Sequence, residues 1–275
     1  MIQWFPGHMA KAIRQIKEKQ VLVDLFLIVL DGRAPISSYN EEFDKIAPEK
    51  PRLFVITKSD MADKNKINTI LKRFENNSSS KAILVNLKEN ISKKIILKSI
   101  NHLLENKRKK DMEKGFLKPR LRVFVVGVPN SGKSTLINLI ASAKTKVGDM
   151  PGVTKGQQWI NAGDFQLLDT PGILWPKFDD QLIGIKLAII GSIKPDIIPK
   201  KDFFNFGYKL LSQYYPEKIL KLGLEPAIDE TEIYNNLYKL GKLKLFLTKN
   251  NQPDLEKTMQ WFIIYLRKLT NVTYD

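Results

Sequence analysis

The apolar positions of this chain fall into two regimes, short unbroken runs and longer stretches spaced by three and four. Residues 21–30 form an almost continuous apolar run, 52–56 and 82–85 repeat it at shorter length, and 122–126 is apolar and β-branched. Such runs predict parallel strands buried on both faces. Ile13 and Ile16 in 9–19, the set Ile67, Ile70, Leu71 and Phe74 in 64–75, and the stretches 91–106 and 135–140 predict helices. Segments 157–161 and 165–168, joined by Ala-Gly-Asp, predict an antiparallel hairpin. The charged stretch 107–119, broken by Gly115 and Pro119, reads as a connector, and 147–163, rich in glycine and threonine, as a mobile segment. After about residue 177 the strands cease. Leu255, Met259, Phe262, Leu266 and Leu269 then mark one helical stripe, the face of a core. The pattern predicts an α/β domain over 1–177 and a small all-α domain over 178–275.

Composition narrows the function. No cysteine occurs, which excludes disulfides, thiolate zinc sites and cysteine nucleophiles. No secretory signal pattern opens the sequence and no apolar run approaches a bilayer span, so a soluble, cytoplasmic protein without a membrane partner is expected. The net charge of +16 points to a polyanion, nucleic acid or a ribonucleoprotein, with solvated surface lysines accounting for part of it. Lys218, Lys221, Lys239, Lys242 and Lys244 lead to reading 178–275 as a basic, RNA-binding region.

The chemistry centres on Gly127-Val-Pro-Asn-Ser-Gly-Lys-Ser134, which fits the phosphate-loop pattern G-x-x-x-x-G-K-[ST] without a mismatch, between a predicted strand and a predicted helix. Its glycines let backbone N–H groups close on phosphate oxygens at a helix N-terminus, so Asn130, Ser131, Gly132, Lys133, Ser134 and Thr135 are the phosphate-binding candidates. Lys133 reaches the β- and γ-phosphates in this scheme, and Ser134 supplies a hydroxyl to magnesium. Asp169-Thr-Pro-Gly172, one hairpin later, offers Asp169 to the same ion and the Gly172 N–H to the γ-phosphate. Thr154 is a third candidate for the magnesium shell. Thr57-Lys-Ser-Asp60 ends a predicted strand. The carboxylate of Asp60 suits the donor pair of guanine, which adenine lacks, and Lys58 can lie along the base, so GTP and GDP are the expected ligands.

These are the parts of a GTPase with base recognition placed before the phosphate loop, a circularly permuted order of the P-loop GTPase fold. Together with Trp4-Phe-Pro-Gly-His-Met9, Asp31-Gly-Arg-Ala-Pro-Ile-Ser-Ser38, Pro151-Gly-Val-Thr154 and Asp169-Thr-Pro-Gly-Ile-Leu-Trp-Pro-Lys177, they closely resemble the ribosome biogenesis GTPase A (YlqF/RbgA) family over about residues 1–200. The resemblance implies a late assembly factor of the bacterial large ribosomal subunit with a C-terminal helical domain that binds rRNA; a monomer without a DNA partner is expected. Thr57 stands where the family usually has Asn, and the last base-contacting motif is faint, at Asn86, Leu87 and Lys88. Where Ras-like proteins place a water-orienting glutamine this chain has Ile173, so hydrolysis needs another group. Asn130 resembles the asparagine with which related GTPases hold potassium, or else braces its loop. His8 either positions the water or enters its helix through a local backbone bond. Two other functions fit the phosphate loop: a small-molecule kinase using ATP, which leaves 57–60 without a role, and an RNA-binding scaffold with a structural nucleotide.

Overall fold

The computed structural model describes residues 7–75, 78–116, 120–141, 158–174 and 180–275, with His8 described for its backbone alone. Six strands form one sheet in the order β3-β2-β1-β4-β6-β5. They are β1 (Leu25–Asp31), β2 (Arg52–Thr57), β3 (Ser80–Leu84), β4 (Leu121–Val126), β5 (Gln158–Ala162) and β6 (Phe165–Asp169). All neighbours are parallel except the β5–β6 hairpin. Every residue of β1 is buried, as expected of a central parallel strand covered on both faces. Its alternation divides two cores. Phe26, Ile28 and Leu30 face α1 (Gly7–Lys19) and α2 (Lys64–Phe74), through Ala12, Ile16, Ile67 and Phe74. Leu25, Leu27 and Val29 share the opposite core with Ile96 and Ile100 of α3 (Ile91–Leu103) and Leu136 and Ile137 of α5 (Lys133–Ala141).

Two expectations are corrected. The first strand begins at Leu25 rather than at residue 21, because Asp24 interrupts the run and binds the start of β4, its N–H donating to Arg122 O at 2.9 Å and its carboxylate accepting from Arg122 N at 2.8 Å. Gln20–Leu22 is a short 3₁₀ turn, and Val21 is 78% exposed. The supposed connector contains a helix, α4 (Glu105–Glu113). It has no apolar stripe, which hid it, and is supported by the i,i+4 pairs Glu105–Lys109 at 2.8 Å and Lys107–Asp111 at 2.5 Å.

Beyond the sheet the chain is helical, with α6 (Gln181–Ile189), α7 (Lys200–Tyr214), α8 (Pro216–Leu220), α9 (Glu230–Leu243) and α10 (Leu255–Lys268). Asp180, Asp229 and Asp254 cap α6, α9 and α10 by accepting N–H groups of the first turn. The predicted stripe on α10 faces a third core: Phe262, Leu266 and Leu269 are buried in it, with Leu255 and Met259 packed at its edge. That core also takes in Met9, Ala34, Val128 and Leu174 from the sheet region, so the helices are packed onto the loops at the edge of the sheet. The last residues return to those loops. Val272 N donates to Met61 O at 3.1 Å, Tyr274 N to Arg33 O at 2.7 Å, and the Asp275 carboxylate accepts from Ile36 N at 2.7 Å. No helix among the described residues is long and apolar enough to cross a membrane.

Candidate nucleotide site

Register alone gathers the predicted residues. Asp31 lies opposite Thr57 across β1–β2, and Asp169 opposite Val125 across β4–β6. Asp31, Thr57, Gly127 and Asp169 therefore emerge at one edge, the carboxyl ends of parallel strands, where open α/β sheets bind ligands. Lys133 opens α5, is 6% exposed, and donates from Nζ to Val128 O at 2.8 Å. Asp169 is 1% exposed and, among the described residues, its Oδ1 has no hydrogen-bond partner. Burial pushes the Asp169 carboxyl up to about 6 against the pull of Lys133, and pushes the Lys133 ammonium down to about 8 against the pull of Asp169. A buried orphan carboxylate oxygen beside a desolvated ammonium is a site built for an oxyanion and a cation that neutralise both.

A pH dependence follows for the nucleotide-free protein. The folded pKa of Asp169 lies above the ordinary 3.8, so its contribution to stability is present at low pH and is lost as pH rises through about 6. Lowering the pH from about 7.5 to about 5 should stabilise the wild type by about 1 kcal/mol relative to Asp169→Asn. Parallel denaturation curves of the two proteins would refute it.

The turn after β6 is fixed by Thr170 Oγ1, which donates to Val125 O at 2.7 Å, and by Ile173 N, which donates to Gly127 O at 3.0 Å. The Ile173 side chain is fully buried in the core, facing away from water chemistry. Gly172 is required by close approach, since a Cβ there would lie 2.6 Å from Pro129 N and Cα of the phosphate loop.

On the base side, Thr57 Oγ1 lies 2.7 Å from Ser131 O and 2.9 Å from Leu30 O. One hydroxyl hydrogen serves both carbonyls, so threonine retains a tether to the phosphate loop. Lys58 Nζ bridges Asp31 Oδ2 at 2.6 Å and Asn130 O at 2.9 Å. Asp60 Oδ2 holds Lys88 Nζ at 2.9 Å on the surface. Asn86 Oδ1 accepts from Lys88 N at 3.1 Å, and Leu87 lies against Gly132. The faint motif at 86–88 is thus brought to both the base loop and the phosphate loop.

Of the candidates for hydrolysis, Asn130 donates from Nδ2 to Gly191 O at 2.7 Å. Ser131 Oγ is buried without a partner among the described residues, and Ser134 and Thr135 sit in the first turn of α5. Thr154 and residues 1–6 lie outside the described residues, as does the side chain of His8.

Three features of the site carried no local signal. Asp31 is buried between two cations: burial would raise its carboxyl, but Lys58 and Arg33 outweigh that and hold it well below the usual carboxylate range. Arg33, 4% exposed, donates from Nη2 to Asp31 Oδ2 at 2.8 Å and to Ile190 O at 3.0 Å, and from Nη1 to Arg267 O at 3.0 Å. It binds the carbonyl ends of α6 and α10, where a cation is favourable. The turn after α6 also holds the phosphate loop, Ser192 Oγ donating to Pro129 O at 2.7 Å. The Asp-Gly-Arg sequence after a buried strand marks a loop at the ligand edge, but the partners at 190–192 and 267 are distant in sequence.

The chain is similar to several known proteins. Residues 122–198 match the family described as 50S ribosome-binding GTPase. The Ribosome biogenesis GTPase A of Bacillus cereus is 40% identical over 100% of this chain and 94% of its own length. That of Priestia megaterium is 39% identical over 100% and 96%. A GDP-bound structure of TM YlqF covers 95% of this chain and 98% of its own, with a TM-score of 0.68 at 23% identity, a likeness of fold. With a permuted nucleotide site in place and the likeness to Ribosome biogenesis GTPase A running the whole length, the chain belongs to the ribosome biogenesis GTPase A family and is a GTP hydrolase.

Proposed function

We propose that this GTPase is a nucleotide-controlled assembly factor of the large ribosomal subunit, acting as a cytoplasmic monomer that binds rRNA and hydrolyses GTP to GDP faster when bound. Asp60 and Lys58 recognise guanine, with Asn86 and Leu87 beside the base. The loop from Asn130 to Thr135 and the Gly172 N–H hold the phosphates. Ser134, Asp169 and Thr154 would hold magnesium, which would neutralise negative charge on the phosphates there. The partnerless Oδ1 of Asp169 suits that role. Asn130 would help to hold potassium, and His8 would orient the attacking water.

The observation that carries the switch reading is the docking of the phosphate-loop tip on the helical region. Pro129 and Asn130 are hydrogen-bonded to Ser192 and Gly191, and Gly172 presses on Pro129 from the other side. A shift at the γ-phosphate position therefore meets the end of α6 directly. Co-sedimentation of the full chain with large subunits tests it. Retention should be at least about tenfold greater with a non-hydrolysable GTP analogue than with GDP. Equal retention in both states would contradict a nucleotide-controlled factor.

The assignment of RNA binding to 178–275 needs revision on charge. That segment carries 14 Lys and Arg against 12 Asp and Glu, so its scattered lysines are nearly balanced and the excess lies in the first 177 residues.

A further inference from the structure

Within the sheet region the positive charge is concentrated. Residues 88–122 hold 12 Lys and Arg against 4 Asp and Glu. Most of this stretch is α3 and α4. Lys94, Lys98 and the second histidine, His102, are exposed at spacings of four on α3, along one helical row. Lys110 of α4 and Lys114 just beyond it are exposed as well. Two of the four acidic residues are already occupied within α4, Glu105 by Lys109 and Asp111 by Lys107. Among the described residues, no acidic group pairs with Lys94, Lys98, Lys110 or Lys114.

The shape of α4 fits the same use. The only residue it buries is Asp111, so the helix contributes little to the core and leaves nearly its whole surface to solvent. Apolar side chains lie open among the lysines: Met112 is 65% exposed and Phe116 57%. Lysines with an interleaved aromatic suit a polyphosphate backbone and unpaired bases. A lipid surface is the poorer match, since α4 has no continuous apolar face to bury.

We propose that the exposed face of α3 and α4, centred on Lys94, Lys98, Lys110 and Lys114, is the main RNA-backbone interface of this protein. The proposal rests on the reading of an RNA partner and relocates it from the helical region to the GTPase domain. The position has a consequence for the nucleotide. Ser92, in the first turn of α3, donates from Oγ to Asn86 O at 2.6 Å, and Lys88 two residues on holds Asp60, so RNA on α3 would bear on the base-recognition loop.

The test is anisotropy with labelled rRNA extracted from large subunits, using the full chain. In one variant Lys94, Lys98, Lys110 and Lys114 are each changed to Glu. In a second, Lys218, Lys221, Lys239 and Lys242 are. The first should bind RNA at least about thirtyfold more weakly at about 0.1 M salt, with a log–log salt slope shallower by about 3. The second should lose less than about threefold. Unchanged GTP affinity in both serves as the control for folding, and Gln replaces Glu in any variant that fails it. Wild-type RNA affinity in the first variant overturns the proposal. So does loss of its binding to phosphatidylglycerol vesicles with RNA affinity intact, which would make the face a membrane contact. If the wild type itself binds no rRNA, the RNA reading falls with it; if the second variant alone loses affinity, that reading stands and this face is wrong.

Discussion

Lys133→Ala is expected to weaken GTP binding by about a hundredfold or more, the result of losing charge-assisted contacts to two phosphates in a dry site. The lysine is almost fully buried and held at the mouth of its loop by Val128 O. Its ammonium is already destabilised there, down to about 8, with only Asp169 opposing the cost of burial. A triphosphate brings more negative charge to the ammonium than Asp169 alone does, so Lys133 interacts more strongly with the ligand than with that carboxylate. The substitution also leaves Asp169 buried without its counter-charge, which lowers affinity for nucleotide and magnesium together. Titration of a fluorescent GTP analogue measures the effect, and unchanged affinity would mean that the loop does not cradle phosphates.

Asp60→Asn should exchange one base for another. The carboxylate accepts two donors of guanine, and an amide in its place turns an N–H towards one of them, so GTP affinity should fall by about a hundredfold while xanthosine triphosphate gains relative to it. In the structure Asp60 is held by Lys88 in an exposed ion pair, worth about 0–1 kcal/mol and therefore readily exchanged for the base. Competition titrations with the two nucleotides decide the matter. Equal weakening of both would remove Asp60 from base recognition.

The phosphate loop, the Asp169–Gly172 turn and the base loop were legible because each is a local pattern tied to a strand end, and the register of a parallel sheet brings strand ends together without further information. The permuted order was legible for the same reason. Asp24 and α4 were misread because hydropathy alone carries little about a polar residue that pairs with a neighbouring strand or a helix without an apolar stripe. Gly191, Ser192 and the tail at 272–275 had no pattern at all, and Arg33 was legible only as part of the Asp-Gly-Arg loop, not by its contacts. Their partners lie far away in sequence, and a buried arginine is indistinguishable from a surface one until Asp31, Ile190 O and Arg267 O are seen around it. Lysines in 178–275 drew attention one by one, while the acidic residues that offset them did not.

On the proposed function, hydrolysis is driven by the large subunit. Ile173 stands where Ras-like proteins place the water-orienting glutamine, and its side chain is buried in the core, so the free protein should turn over slowly. The measurement is GTP turnover by the full chain in potassium buffer as purified large subunits are added, with sodium buffer and His8→Ala run beside it. The rate should rise at least about tenfold with subunits, less in sodium, and His8→Ala should bind GTP normally yet lose most of the rise. A rate indifferent to the subunit would contradict the account.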